Sequence, residues 1–327
     1  MYVWLEGQDV DCTNYASHGG GILVNVGLTK GEDEGSGEDT TKWVSPSEIF
    51  DQTGENEIGL HIGDFVNYDA GTWTQEEIDS TVFFQQADSP VGYRFESITV
   101  GRSKNANAKQ MTSPDYTYIK DASTNSEVSG WRIFDIEGDN VTLISAGNVE
   151  NYMHPAGYAY QTEYILTGNI NKDWIDAESE KDNYQKRNWN IYANQAQKAT
   201  EAIPLTKDRL DNWFTKYIGV ENADTNDYNT FREIYEDQYK KYQNIIDNYS
   251  DYWVASAINA NSLYYCSSSG YIGQSYYAID FTFGIRLLIS LSSDVLFSQK
   301  NIGTKTLTGG NMDTYGGNQT YNCWQIK

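Results

Sequence analysis

Apolar and polar residues alternate with a period of two along several stretches of the chain, most sharply across 130–147, GWRIFDIEGDNVTLISAG. Trp131, Ile133 and Asp135 alternate there against Arg132, Phe134 and Ile136, and Val141, Leu143 and Ser145 resume the pattern after Gly138-Asp139-Asn140. That spacing predicts two strands joined by a tight turn. Both faces carry apolar groups, so the hairpin is expected inside a sheet covered on both sides. Further strand candidates, separated by Gly, Asp or Pro breaks, are 60–68, 82–84, 93–100, 252–256, 262–266, 283–291 and 320–326. The mostly polar residues 102–129 read as a surface connection.

The period changes to that of a helix in two places. In LTKDRLDNWFTKYIG, 205–219, Leu210, Trp213, Phe214 and Tyr217 share one face and Thr206 is a candidate N-cap. In FREIYEDQYKKYQNIIDNY, 231–249, Phe231, Ile234, Tyr235, Tyr242, Ile245, Ile246 and Tyr249 form an apolar stripe opposite charged residues. Aromatics in such a stripe are core residues before they are ligand cages. Near the start, residues 2–28 contain alternating segments on either side of a glycine-rich break, and GEDEGSGED, 31–39, has the composition of an acidic flexible linker. The linker lacks the ligand spacing of a calcium loop. The expected organisation is therefore a short β segment at 1–30, a linker at 31–42 and one α+β domain at 43–327, with two amphipathic helices and mixed or antiparallel sheets.

Charge narrows the choice of partners. The 327 residues carry a formal net charge of −23 with a pI near 4.3, which repels nucleic-acid phosphates and anionic headgroups, so no nucleic-acid partner is expected. An aromatic content of 14% is too high for a disordered chain. No apolar run reaches the roughly 18 residues of a membrane span, and residues 1–20 show no signal pattern, so any export signal is expected outside this sequence. Cys12, Cys266 and Cys323 have neither disulfide-framework nor metal-ligand spacing. One Cys266–Cys323 bridge and three free thiols both remain open.

Little in the sequence points to catalysis or cofactors. His18, His61 and His154 stand in unrelated contexts, and no phosphate-cradling loop, dinucleotide fingerprint or nucleophile elbow occurs. No metal site and no cofactor are expected. Among the many carboxylates, Glu163 and Asp135, within or near predicted strands, are the candidates a glycan-active enzyme would use.

The segment 251–286, DYWVASAINANSLYYCSSSGYIGQSYYAIDFTFGIR, departs from the rest in composition. Between Val254 and Ile285 it contains no Lys, Glu, Met, His, Arg or Pro, and Tyr, Ser, Asn, Gly and Ala fill most positions. Tyr gives a stiff, amphipathic contact and Ser, Gly and Asn give adaptable hydrogen bonding, the chemistry of antibody-like binding loops. Two strands with Ser/Gly turns would also be poor in charge.

The order of IGDFVNYDAGTW (62–73), GWRIFDIEGDNVTLISAG (130–147), TEYILTG (162–168), the helix pair, DYWVAS (251–256) and FGIRLLISLSSDV (283–295) resembles bacterial exported proteins with a C-type-lectin-like domain. That domain is related to the formylglycine-generating enzymes and is similar to variable proteins diversified by retroelements. The resemblance covers roughly 43–327. It implies that Tyr252-Trp253 opens, and Gly284-Ile285-Arg286 closes, a displayed face. That face would comprise Asn259, Asn261, Tyr264, Tyr265, Ser267, Ser269, Tyr271, Gln274, Tyr276, Tyr277 and Asp280, with Tyr264, Tyr265, Tyr271, Tyr276 and Tyr277 as anchors. The composition fits adenine-directed mutagenesis of asparagine codons, apart from Gln274, and Leu287 stands where related strands have proline. No cysteine pair corresponds to the oxidase site of the formylglycine-generating enzymes.

The resemblance implies a non-enzymatic, extracellular or cell-surface binding protein, adhesin-like or receptor-like, with calcium-independent folding. Its partner would be a protein or glycan on another cell or phage. Residues 2–28 resemble the closing strands of a β-sandwich in exported fibre-type proteins, which keeps two alternatives open there. These strands exchange between subunits, making a homo-oligomer or a pilus-like fibre, or they join the domain's own sheet. A glycan-active enzyme is the third expectation.

Overall fold

The computed structural model describes residues 41–54, 56–71, 94–95, 130–153, 159–171, 186–219, 242, 245–246, 251–266, 272–276, 282–308 and 318–327. Contacts divide the chain into Met1–Thr40 and Thr41–Lys327, and every described residue lies in the second unit. The expectations for 2–28, 31–39, 82–84 and 102–129, and for Cys12, His18 and His154, fall outside the described residues.

The hairpin read from the alternation lies in the middle of a sheet. β4 (Trp131–Glu137) and β5 (Asn140–Ser145) pair antiparallel across a turn in which Gly138 takes φ 60°, a conformation glycine adopts without strain. Trp131, Ile133, Leu143 and Ile144 are fully buried, so both faces of the hairpin are covered. The neighbours of this hairpin build a seven-stranded sheet. On one side stand β2 (Phe65–Val66), β15 (Asn318–Trp324) and β14 (Gly303–Thr308); on the other stand β12 (Leu287–Leu291) and β7 (Ala199–Pro204).

A six-stranded sheet holds β3 (Arg94–Phe95), β6 (Glu150–Met153), β11 (Thr282–Ile285), β8 (Tyr252–Asn259), β9 (Ser262–Cys266) and β10 (Ile272–Tyr276), in that order. β1 (Trp43–Val44) and β13 (Phe297–Ser298) form a two-stranded pair. Among the described residues the α-helices are few: α1 (Pro46–Ile49), α2 (Ala159–Thr167), α3 (Lys207–Tyr217) and the helical positions Tyr242, Ile245 and Ile246, whose side chains are buried as the apolar stripe requires. The architecture is mixed α and β, and mostly sheet.

α3 follows its sequence pattern. Leu210, Trp213 and Phe214 are buried, and Trp213 stacks on Phe134 of β4 at 5.6 Å between centroids while its Nε1 donates to the Phe134 carbonyl at 2.8 Å. Thr206 is the N-cap residue, yet its hydroxyl makes no capping bond; the Lys207 N–H goes instead to Ser256 Oγ of β8 at 3.0 Å.

Three expectations need correction. The strand expected at 60–68 shrinks to Phe65–Val66, because His61–Asp64 is a turn: Asp64 Oδ2 accepts the His61 N–H at 2.9 Å and Gly63 takes φ 94°. The strand expected at 283–291 is two strands, β11 and β12, which belong to different sheets. Glu163, expected in or near a strand, lies on α2, where burial of Ala159, Thr162, Ile165 and Leu166 outweighs the strand propensity of its Tyr, Ile and Thr residues. Cys266 and Cys323 lie on strands of different sheets and are not joined in a disulfide.

The passage from β11 to β12 joins the two sheets. β5 continues into β6 in the same way, and the two crossings run side by side, since β12 pairs with β5 and β11 with β6. Arg286 stands at the crossing with no exposure. Its Nε and Nη2 donate to the Ser145 carbonyl at 3.0 and 2.7 Å, and its Nη1 donates to the Ile245 and Ile246 carbonyls at 2.8 and 3.2 Å. One guanidinium fork thereby ties both crossings to a helix. At Gly284 a Cβ would sit 1.8 Å from Asn148 Nδ2, so only glycine admits the buried Asn148 side chain.

Candidate functional site

The tyrosine-rich segment folds into β8, β9 and β10, the end of the six-stranded sheet among the described residues, and it returns through β11. Its two termini are fixed. Tyr252 and Trp253 are fully buried; the Tyr252 hydroxyl donates to the Ile246 carbonyl at 2.8 Å, and Arg286 lies over its ring at 5.1 Å. Burial pushes the Tyr252 phenol well above its ordinary range, which keeps it a neutral donor. Gly284 N–H donates to the Asp251 carbonyl at 3.0 Å, closing the base of the segment.

Away from that base the burial relaxes. Tyr252 to Ala255 are buried, Ser256 and Ala257 are half-buried, and Asn259, Ala260 and Asn261 are exposed at the β8–β9 turn. The turn is shaped by the Asn259 side chain, whose Oδ1 accepts the Asn261 N–H at 2.8 Å. Tyr264 and Tyr265 are half-buried, and as consecutive residues of a strand they project to opposite faces. Tyr265 packs on Phe283 at 5.1 Å, which in turn lies 4.5 Å from Trp253. Tyr264 lies under the Lys207 ammonium, 5.4 Å from the ring centroid. The two tyrosines therefore anchor two sides of one strand rather than a single plane.

On β10, Gln274 pairs with Tyr264 and Tyr276 with Ser262. Ser267, Ser269, Tyr271, Tyr277 and Asp280 lie outside the described residues.

Sequence reasoning missed the part that α2 plays here. The β8–β9 ladder is irregular on both sides of the Ala257–Leu263 pair, and the Ala257 N–H is met from α2. Glu163 Oε2 accepts that N–H at 3.2 Å, and Ala159 N–H donates to the Ala260 carbonyl at 2.9 Å. α2 thus buttresses the exposed turn from its own first turn and a half. Burial raises the Glu163 carboxyl above its ordinary value, against the lowering effect of the Ala257 N–H and Asn171. Asp135, the other carboxylate candidate, is engaged by Lys216 Nζ at 2.6 Å and by the Tyr217 hydroxyl at 2.5 Å.

A second concavity, of about 550 Å³, surrounds His61 and is lined by Asp51, Asp64, Tyr242, Tyr321 and Asn322 among others. Asp64 is buried and already accepts from Asn322 N at 2.9 Å, Trp324 Nε1 at 2.8 Å and His61 N at 2.9 Å. His61 lies between carboxylates, with Nδ1 3.6 Å from Asp64 and Nε2 3.6 Å from Asp51. Asp64, more than Asp51, raises the imidazole above its ordinary value. Asp64 thereby ties the His61 turn to β15. Among the described residues no group of three or more His, Cys, Asp or Glu side chains is arranged to hold a metal ion.

Comparison with protein-family models finds no match, and comparisons with curated proteins and with solved structures find none either.

Proposed function

We propose that this chain is a non-enzymatic surface protein that binds a protein or glycan ligand through the edge formed by β8, β9 and β10, displayed on a C-type-lectin-like scaffold. The observation that carries this reading is the gradient of burial along one continuous segment. Tyr252, Trp253 and Arg286 are fully buried, whereas Asn259 and Asn261 are exposed and Tyr264 and Tyr265 are half-buried. A fixed base with a permissive, uncharged, tyrosine-bearing edge is what a recognition surface needs, since stiff aromatic contacts lose little entropy on binding. The strand crossing at Gly284 and Arg286 supports the lectin-like reading by holding both ends of the segment in place whatever residues fill it.

Screening the full chain on a glycan array and against bacterial cell surfaces identifies the ligand. A Tyr264→Ala, Tyr265→Ala, Tyr276→Ala variant should then lose at least about 30-fold in affinity, the equivalent of ~2 kcal/mol. Unchanged affinity in a folded variant would refute the site. Sequencing the genomic neighbourhood for a reverse transcriptase and a near-copy of codons 252–286 tests the link to retroelement diversification.

A further inference from the structure

Basic residues are scarce in this chain, 23 against 46 acidic ones, so a cleft that gathers several of them is chemically distinctive. Lys186, Arg187 and Arg209 line one cleft of about 460 Å³ between the C-terminal end of α2, β7 and the start of α3. Neither Lys186 nor Arg209 has an ion-pair or hydrogen-bond partner among the described residues, although both are exposed in a strongly acidic protein. The lysine is not loosely placed. Its Cδ lies 2.6 Å from where a Cβ on Gly168 would sit, and Gly168 takes φ 78°, so the stem runs over a backbone that only glycine leaves open. Arg187 is buried and lies over Trp189 at 5.3 Å, with its N–H on the Ile165 carbonyl at 2.7 Å.

The amides in the cleft add to the same polarity. Asn190 Oδ1 accepts the Ala202 N–H at 2.9 Å, and Asn188 Oδ1 accepts the Asn190 N–H at 3.1 Å. Those bonds fix the two side chains in place and leave each NH₂ group able to donate to a ligand. Glu201 is the one carboxylate lining the cleft among the described residues, where Lys186 and Arg209 are the exposed cations. A concavity that offers ammonium, guanidinium and amide donors suits oxygen-rich anions, which accept several charge-assisted hydrogen bonds at once.

We propose that this cleft is a second binding site, distinct from the tyrosine edge, for a small ligand carrying an oxyanion group. The group is a carboxylate, sulfate or phosphate, and the volume suits a single acidic sugar. Calorimetric titration of the full chain with glucuronate, inorganic sulfate and inorganic phosphate at low ionic strength tests it, with glucose as the neutral control. At least one anion should saturate, glucose should not, and affinity should fall as salt screens the exposed cations. The anion that binds best identifies the source of the group. A Lys186→Gln, Arg209→Gln variant should bind at least tenfold more weakly with an unchanged melting temperature. Asn188→Asp, which places a carboxylate in the cleft, should weaken binding similarly. The Tyr264→Ala, Tyr265→Ala variant should retain the anion, which separates this site from the edge. Absence of saturation by all three anions, equal uptake of glucose, or undiminished binding by the two cleft variants overturns the proposal.

Discussion

Replacing Arg286 by Met tests the frame on which the display depends. Met fills much of the same volume, but it leaves the Ser145, Ile245 and Ile246 carbonyls without the donors that now reach them at 2.7 to 3.2 Å. Hydrogen bonds from a charged group contribute about 1.5–3 kcal/mol each, and stranding buried acceptors adds a desolvation penalty. Relief from burying the guanidinium offsets part of this, so a net loss of about 3–5 kcal/mol is expected, in the range seen when one partner of a buried charged contact is removed. Against a total stability of roughly 5–15 kcal/mol, that is a large fraction. Urea denaturation followed by tryptophan fluorescence reads it directly, and a melting temperature lower by roughly 6–20 °C should accompany it. Arg286→Lys should fall in between, because an ammonium lacks the planar fork that spans both crossings. A loss under about 1 kcal/mol for Arg286→Met would refute the argument that this guanidinium joins the two sheets.

Gly284→Ala should destabilise by about 1–3 kcal/mol, the usual range for overpacking, since its Cβ meets Asn148 at 1.8 Å; pairing it with Asn148→Ala should recover part of the loss in the same denaturation assay. His61 has a folded value raised above 6.5 by Asp64, so its contribution to stability is complete below pH 6.5 and is lost as pH rises through the folded value. Melting temperatures measured across that window should decline in the parent and stay flatter in His61→Gln. Glu163 has a folded value raised above 4.5 by burial, so its protonated form favours folding below pH 4.5, and this advantage disappears as pH rises through the folded value. Glu163→Gln, whose oxygen still accepts the Ala257 N–H, should therefore melt higher than the parent at pH 7 and alike below pH 4.5.

How far the sequence disclosed the fold depends on how local the deciding interactions are. The hairpin from Trp131 to Ser145 and the helix from Lys207 to Tyr217 were readable because a turn signal or a 3.6-residue apolar period lies within each segment. The stretch around Asp64 reads as a strand because alternation does not reveal that a carboxylate will fold back on its own chain and bind Trp324, far along the sequence. The break at Arg286 is equally hidden: apolar residues flank the arginine on both sides, and its bend is set by carbonyls on β5 and a helix. At the site, composition drew attention to Asn259, Asn261, Tyr264 and Tyr265, but strand parity divides the two tyrosines between faces. The support from Glu163 on α2 reaches Ala257 across 94 residues of sequence, which no local pattern encodes.

A saturation-substitution scan of residues 252–286, read as protease resistance of the displayed protein, tests the central claim most directly. The account predicts that Asn259, Asn261 and Tyr264 accept most amino acids with little loss of resistance, while Tyr252, Trp253, Gly284 and Arg286 accept almost none. Equal intolerance along the whole segment would contradict it, because the edge would then be part of the core rather than a surface the core presents.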